Sequence, residues 1–263
     1  MDLLSFLQSV PLLLAMGKGA LPAAATLVAG FGQWAQAVPP CRPFTFEATN
    51  YLVCQVDPRL YAIELFWKDG EGKPYNSLHR LHDAQQWAGR TMLFGLNAGM
   101  YHPNLDPVGL YVERGRELAP VKTGSGTGNF SMQPNGIFYL DGNAAAVRAT
   151  GAFVSKRPRA DYATQSGPML VIDGKLHPKF MPDSTSRKVR DGVGVRKDGV
   201  VIFAISNGTV TFHEFARLFR DALGCGNALF LDGSISSLFA PAIGRTDDYW
   251  NLGPMIGVFR KQD

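Results

Sequence analysis

The sequence has few cysteines, little net charge and no long apolar run beyond residue 40. Three cysteines among 263 residues exclude a disulfide-rich scaffold. The 26 Lys and Arg residues against 22 Asp and Glu residues leave a net charge of only +4, and the basic residues are scattered, which argues against a nucleic-acid-binding groove. The missing apolar run argues against a membrane span in the mature protein. The 46% content of hydrophobic residues indicates a globular protein with its own core.

Common catalytic and cofactor motifs are missing as well. The chain has no phosphate-binding loop ending in Lys-Ser or Lys-Thr, no dinucleotide fingerprint, no Cys-x-x-Cys, no His-Glu-x-x-His and no Gly-x-Ser-x-Gly. No spacing of His, Cys, Asp or Glu is typical of a metal site. We therefore expect a protein that works without a cofactor, and a mechanism written without a metal ion; a calcium site made of loop carbonyls would leave no such pattern and stays open.

The first 37 residues resemble a secretory signal peptide. Met16-Gly-Lys18 supplies a positive start, residues 20–32 an apolar centre, and Ala35-Gln-Ala37 the small-residue pattern that precedes cleavage. On this interpretation the true start lies near Met16, and the mature, exported chain, periplasmic or extracellular, comprises residues 38–263. The alternative is a retained membrane anchor.

Export changes the interpretation of the cysteines. Cys41 and Cys54 lie near the mature N-terminus, and an oxidising compartment favours a disulfide bond between them. Cys225, in the run Leu223-Gly-Cys-Gly-Asn227, is interpreted as a small buried thiol.

The hydrophobic pattern predicts an α+β fold in one domain, residues 38–263, with a mixed, largely antiparallel β-sheet core and a few flanking helices. Nine short apolar or β-branched runs predict strands: 60–67, 91–97, 108–112, 136–140, 169–172, 193–196, 200–205, 228–231 and 255–259. Asp-Gly pairs at 141–142, 173–174 and 198–199 separate such runs, as in hairpins. Helices are predicted over Thr211–Leu223, with a capping box and a terminating Gly224, and over about 78–88.

Polar residues planted at the ends of apolar strands are the candidate functional residues. Asn97 follows one strand and Asp232 follows another, so each side chain is expected at the mouth of a sheet, where little water surrounds it. Arg187 and Arg190 precede a further strand, and arginine is the preferred donor to phosphate because its planar fork can bind two oxygens.

The combination of motifs resembles the phosphodiester glycosidase family over roughly residues 50–260, and most closely its bacterial branch of exported proteins related to exopolysaccharide biosynthesis. The matching motifs are Asn97-Ala-Gly-Met-Tyr101, Pro107-Val-Gly-Leu110, Asn129-Phe130 with Pro134-Asn-Gly-Ile-Phe138, Gln165-Ser-Gly-Pro-Met-Leu170, Arg190-Asp-Gly-Val-Gly194 and Asn227-Ala-Leu-Phe-Leu-Asp-Gly-Ser-Ile-Ser-Ser237. The chain departs from the animal members, which have Gly-Gly after the Asn and after the Asp, at Ala98 and Ser234.

The resemblance implies hydrolysis of a sugar-1-phosphodiester at the anomeric C–O bond, on envelope or exopolysaccharide-type glycans. Phosphate is already a weak base, so the leaving group needs positive charge and N–H groups more than a proton. Asp232 is then expected to be the base or nucleophile, Arg190 the phosphate clamp and Asn97 a neutral hydrogen-bonding group. Further expected substrate contacts are Gly99, Tyr101, His102, Asn135, Ser166, Gly167, Arg187, Gly233 and Ser234.

Other readings stay open at this point. Arg187 could serve as the phosphate clamp in place of Arg190, since it also precedes the strand. A second carboxylate could come from Asp106, Glu113 or Asp247. A phosphodiesterase that cleaves the P–O bond would need similar residues. An exported domain that binds polysaccharide or protein without catalysis would show the same polar loops.

Overall fold

The computed structural model describes residues 40–261, apart from the side chain of Ser234. The expected signal peptide and its cleavage site lie outside the described residues. The described residues fall within the compact unit Val38–Asp263.

Strands make up most of this part of the chain. They are β1 (Cys41–Phe46), β2 (Thr49–Val56), β3 (Tyr61–Phe66), β4 (Met92–Asn97), β5 (Tyr111–Glu113), β6 (Arg116–Ala119), β7 (Gly136–Asp141), β8 (Ala144–Ala149), β9 (Tyr162–Ser166), β10 (Met169–Ile172), β11 (Lys175–Leu176), β12 (Asp191–Arg196), β13 (Val201–Ser206), β14 (Cys225–Phe230), β15 (Leu238–Ala240), β16 (Arg245–Thr246) and β17 (Met255–Arg260). The α-helices are α1 (Leu78–Trp87), α2 (Thr150–Lys156) and α3 (Phe212–Arg217), which continues into a π-helical turn (Leu218–Ala222). Short 3-10 turns are Asn129–Ser131, Gly233–Ile235 and Pro241–Ile243.

The strands form three sheets, in which every described pairing between strands is antiparallel. Sheet I has the order β1-β2-β13-β12-β14-β10-β11, sheet II the order β16-β15-β4-β17-β3 and sheet III the order β6-β5-β9-β7-β8. The expectation of a largely antiparallel fold with few helices is confirmed.

One core lies between the sheets, and one helix covers the outer face of each. The shared core takes residues such as Phe203 from sheet I, Phe94 from sheet II and Phe138 from sheet III. Alternate residues of the same strands point outward. There they pack under α3 on sheet I, α1 on sheet II and α2 on sheet III.

The local sequence signals account for several boundaries. Thr211 caps α3 with the expected capping box, because its hydroxyl accepts from the Glu214 amide and the Glu214 carboxylate accepts from the Thr211 amide. The three Asp-Gly pairs lie in the β7–β8, β10–β11 and β12–β13 hairpins, each with its glycine at positive φ.

Other expectations need correction. The single helix expected over Thr211–Leu223 changes to π-helical geometry after Arg217. The strand expected over 108–112 begins only at Tyr111, because the Val108 amide is used by a loop contact to the Met100 carbonyl. Helix α2 was not expected.

The cysteines occupy the expected states. Cys41 and Cys54 face each other across β1 and β2 and form a disulfide bond. Cys225 is buried, and burial raises the pKa of its thiol to about 12, so it is not a reactive thiolate. No helix among residues 40–261 has the length and apolarity needed to cross a membrane.

Candidate active site

The candidate site lies where the chain crosses from sheet I to sheet II. Strand β14 ends at Phe230 beside the start of β12, since Phe230 pairs with Gly192 and the Leu231 amide donates to the Asp191 carbonyl (3.2 Å). The chain then leaves sheet I through residues 232–237, which we call the crossing segment.

The crossing segment leads directly into sheet II. Its last residue precedes β15, in which Leu238 pairs with Leu96 of β4. The end of β4, at Asn97, therefore lies next to the crossing segment. Three segments that are distant in the sequence, the end of β4, the start of β12 and the crossing segment, are thereby brought together.

Asn97 holds both ends of the crossing segment. Its side chain is fully buried. Its Nδ2 donates to the carbonyl of Asp232 (3.2 Å), and its Oδ1 accepts from the amide of Ser237 (2.9 Å). A carboxylate could not supply the donor, and an aliphatic residue could supply neither group. Asn97 thus fixes the position of Asp232 relative to β4.

Asp191 is a buried carboxyl group that the sequence interpretation did not assign a role. Its Oδ1 accepts from the hydroxyl of Ser236 (2.9 Å), while its buried Oδ2 has no hydrogen-bond partner among the described residues. Burial raises the pKa of Asp191 well above its ordinary value; the Ser236 hydroxyl and the Asn97 amide oppose the shift, and the charge of Asp232 adds to it. The neutral acid is therefore favoured.

The surroundings of Asp191 explain this shift. It lines a cavity of about 10 Å³ together with Ser237 and apolar side chains of sheets I and II. Such a volume holds roughly one water molecule. The signal in the sequence was an acid directly before the run Gly192-Val-Gly-Val195, whose first three residues are buried, the counterpart of a polar residue directly after a strand.

Asp232 is near enough to Tyr101 for its charge to affect the pKa of the tyrosine. Asp232 is half-buried, and Tyr101 has a pKa raised to about 12, first by burial and then by the charge of Asp232. The Tyr101 hydroxyl donates to the carbonyl of Asn251 (2.5 Å). His102 is exposed. Ser234 was also expected to contact the substrate, but its side chain is not among the described parts of the structure.

Two glycines of the site are required by close packing. A Cβ on Gly99 would lie 2.2 Å from the carbonyl oxygen of Gln165, and the Gly99 amide donates to the hydroxyl of Thr164 (3.1 Å). A Cβ on Gly233 would lie 2.5 Å from the ring of Phe230. The Gly99 amide, expected to contact an anion, therefore has a partner within the protein.

Asn135, Ser166 and Gly167 form a buried group next to the Gly99 loop. The Asn135 Nδ2 donates to the carbonyl of Phe130 (2.9 Å). The Asn135 Oδ1 and the Ser166 hydroxyl are buried without hydrogen-bond partners among the described residues. The predicted substrate contacts at Asn135, Ser166 and Gly167 stay a prediction.

Arg190 lies on the opposite face of sheet I from Asp191. Its guanidinium donates to the carbonyls of Val210 (2.9 Å) and Ser186 (3.0 Å), and its Cζ lies 3.6 Å from the ring centroid of Phe212 and 5.5 Å from that of Phe230. Burial lowers its pKa to about 10, so the side chain remains charged at neutral pH. The structure thus holds a buried cation by neutral groups, and the Phe230 ring that lies near this cation also packs against Gly233.

Arg187, the alternative phosphate clamp, and the three alternative carboxylates have contacts away from Asn97 and Asp232. Arg187 is exposed and pairs with Glu214 (2.9 Å). Asp106 lies 3.7 Å from the amine of Lys68, Glu113 accepts from the Tyr111 hydroxyl (2.9 Å), and Asp247 accepts from the first amide of β15 (3.0 Å). None of these contacts is with Asn97 or Asp232.

Within residues 40–261, no three His, Cys, Asp or Glu residues form a group that could hold a metal ion. The arrangement found instead is one half-buried carboxylate and one buried acid at the crossing segment, with one buried arginine on the opposite face of sheet I. Such a set can activate water and attract an anion.

The fold is shared with solved structures. It matches the catalytic domain of zebrafish N-acetylglucosamine-1-phosphodiester alpha-N-acetylglucosaminidase, auto-inhibited by its pro-peptide, with a TM-score of 0.58 and 13% identity over 84% of this chain and 82% of that chain. It also matches a hypothetical protein from Synechocystis, with a TM-score of 0.53 and 14% identity over 84% of this chain and 61% of that chain.

The sequence comparisons are more specific. The model of the phosphodiester glycosidase family matches residues 90–259, which include Asn97, Arg190, Asp191 and Asp232. The chain is also 32% identical over 206 residues to the uncharacterized protein YigE of Escherichia coli (strain K12), covering 78% of this chain and 80% of that protein. The chain belongs to the phosphodiester glycosidase family, and the resemblance inferred from its motifs is confirmed. At a coarse level this family name places it among hydrolases.

Proposed function

We propose that this protein hydrolyses a sugar-1-phosphodiester at the anomeric C–O bond and releases free sugar and a phosphomonoester. The observation that carries the proposal is the meeting of Asn97, Asp191 and Asp232 at the crossing segment, within the region matched by the family. Export and a glycan substrate of the envelope or exopolysaccharide type belong to the same proposal.

Asp232 is the carboxylate best placed for the chemistry. It is half-buried, whereas Asp191 is fully buried. Two neighbouring carboxylates do not both ionise easily, and burial favours the neutral form at Asp191. The negative charge of the pair therefore belongs to Asp232, which acts as base or nucleophile, while neutral Asp191 holds the crossing segment through Ser236.

The reaction balances without an external acid. The oxygen of water becomes bonded to the anomeric carbon, and the bond from that carbon to the bridging oxygen breaks. The bridging oxygen leaves on the phosphomonoester, and the proton of the water passes to Asp232 and then to solvent. Phosphate leaves as a weak base, so one carboxylate is a sufficient minimum.

Arg190 and Asn97 have supporting roles in this mechanism. The guanidinium remains charged at neutral pH and is held by carbonyls and rings, so its charge is available to attract a phosphate group. Direct contact with phosphate requires movement of the Phe212 ring that covers it. Asn97 keeps the Asp232 backbone in place.

Hydrolysis in ¹⁸O-labelled water tests the proposal. A panel of sugar-1-phosphodiesters is incubated with the protein, and the products are analysed by mass spectrometry. Label in the free sugar supports C–O cleavage, and label in the phosphomonoester shows cleavage of the P–O bond instead. Binding of the panel without turnover would support a non-catalytic binding domain.

A further inference from the structure

A polar groove with two exposed aromatic rings lies next to the candidate active site. It has a volume of about 470 Å³ and is lined by Asn76 and Arg80 on one side and by residues 248–251 on the other. Tyr249 is 80% exposed and Trp250 is 52% exposed. A volume of this size is typical of small-molecule sites.

The groove is connected to the site through Tyr101. The Tyr101 hydroxyl donates to the carbonyl of Asn251, in the groove wall. Gly253 lies against the Tyr101 ring, since a Cβ there would be 2.6 Å from the ring Cγ. The charge of Asp232 contributes to the raised pKa of the same tyrosine. A ligand that extends from Asp232 past Tyr101 therefore reaches the groove.

The polar lining includes the exposed donor Arg80 and Asn76, whose side-chain oxygen is buried. Asn76 has a positive φ of 65°, and its Oδ1 is buried without a hydrogen-bond partner among the described residues. Its backbone carbonyl accepts from the Leu252 amide (2.7 Å), which ties it to the opposite wall. Arg80 is exposed at the start of α1.

This combination suits a sugar ring better than an apolar partner. A sugar presents C–H groups on its faces, which pack on aromatic rings, and hydroxyl groups at its edge, which require donors and acceptors such as Arg and Asn. A stable protein contact would instead be expected to have a broad apolar centre around the rings.

We infer that the groove between residues 76–80 and 248–251 binds a further saccharide unit of the substrate, so that phosphodiester-linked oligosaccharides or polysaccharides are preferred over short sugar phosphodiesters. The inference rests on the proposed function for its link to turnover, but saccharide binding in the groove does not depend on it.

Trp250→Ala tests the groove, and Trp87→Ala is the matched control. Trp87 is 92% exposed and ends α1, outside the groove lining. Two substrates with the same cleaved bond are compared, a monosaccharide phosphodiester and its extension by two sugar units. We expect Trp250→Ala to lower the ratio of kcat/KM, long over short, by roughly tenfold. Trp87→Ala should leave the ratio unchanged. An unchanged ratio in Trp250→Ala overturns the inference.

A binding measurement keeps this test separate from the proposed function. Hexasaccharides of glucose and of N-acetylglucosamine are titrated into the full chain and into Trp250→Ala, and tryptophan fluorescence is followed. Quenching that is lost in Trp250→Ala but kept in Trp87→Ala supports the groove even where no phosphodiester is hydrolysed. If no saccharide binds and Trp250→Ala instead disperses an oligomer on a sizing column, the rings form a protein contact and the inference is wrong.

Discussion

Arg190 and Asp191 are neighbours in the chain but lie on opposite faces of sheet I. Asp191 points into the core between the sheets, where it accepts from Ser236. Arg190 points outward, where Phe212 covers its guanidinium. Successive side chains of an extended chain point to opposite faces. The start of β12 therefore has a buried acid on one face and a buried arginine on the other, each with its own hydrogen-bond partners.

The two faces differ in what burial does to charge. Burial shifts both pKa values toward the neutral form, upward for Asp191 and downward for Arg190. Burial thus favours the uncharged form of Asp191, whereas the arginine, with a pKa of about 10, keeps its charge at neutral pH. The charge expected at this strand end is therefore positive, which is consistent with the proposal that Asp232 carries the negative charge of the site.

The largest expected effect is that of Asp232→Asn. If Asp232 is the ionised carboxylate, the change should lower kcat by roughly 10²- to 10⁴-fold and leave the fold intact. Turnover of the best sugar-1-phosphodiester and circular dichroism measure the two quantities. Asp141→Asn is the control, because Asp141 is an exposed residue of another Asp-Gly turn. Near-full activity of Asp232→Asn would remove it from the mechanism.

Arg190→Met separates charge from packing on the outer face. Met keeps an unbranched stem beside Phe212 but removes the side-chain donor to the carbonyls of Val210 and Ser186, of which the Val210 carbonyl still accepts from the Lys188 amide (3.1 Å). We expect a stability loss of about 1–3 kcal/mol and a fall in kcat/KM of roughly 10²-fold. Arg187→Met, at the exposed alternative clamp, should lower both stability and kcat/KM less than Arg190→Met does. A stability loss with unchanged kcat/KM would show that Arg190 is structural.

The pH dependence of the free energy of unfolding in Asp191→Asn tests whether the buried Asp191 is protonated in the folded protein. The folded-state pKa of Asp191 is raised, so the folded protein holds this proton more tightly than the unfolded chain. Its contribution to stability is full below the unfolded pKa of about 3.9 and is lost as pH rises through the folded value, by up to about 1.4 kcal/mol per pH unit.

Urea unfolding between pH 4 and pH 7 measures this slope. Asp191→Asn replaces the neutral acid with a neutral amide, so its stability should lack that part of the pH dependence. Identical slopes for the two proteins would show that Asp191 ionises normally in the folded state.

The sequence predicts the secondary-structure elements better than it predicts where β4, β12 and the crossing segment come together. Strand β10 and the Asp-Gly hairpins follow from local signals, because an apolar run and a positive-φ turn are decided within a few residues. Strand β8, with the sequence Ala-Ala-Ala-Val-Arg-Ala, has low strand propensity and forms through its pairing with β7. Helix α2 likewise gave no clear signal.

The site shows the same division. Asn97 and Asp232 were predicted because each follows a buried strand. Asp191 is the first residue of its strand. Its importance depends on β12, β4 and the crossing segment meeting from two sheets, which no local pattern encodes. The placement of Arg190 opposite Asp191 could have been deduced, since adjacent strand residues face opposite sides.

The smallest predicted effect is that of Thr211→Ala, which touches only the outer face. The Thr211 hydroxyl starts α3 immediately before Phe212, the ring that covers Arg190. Removing the cap should cost about 1 kcal/mol in urea unfolding, whereas Thr211→Ser should retain most of the stability. Because the two faces are independent, the losses from Thr211→Ala and Asp191→Asn at pH 7 should add within about 0.5 kcal/mol. A larger coupling would mean that the acid and the arginine communicate through the strand, and the two faces would then have to be treated as one site.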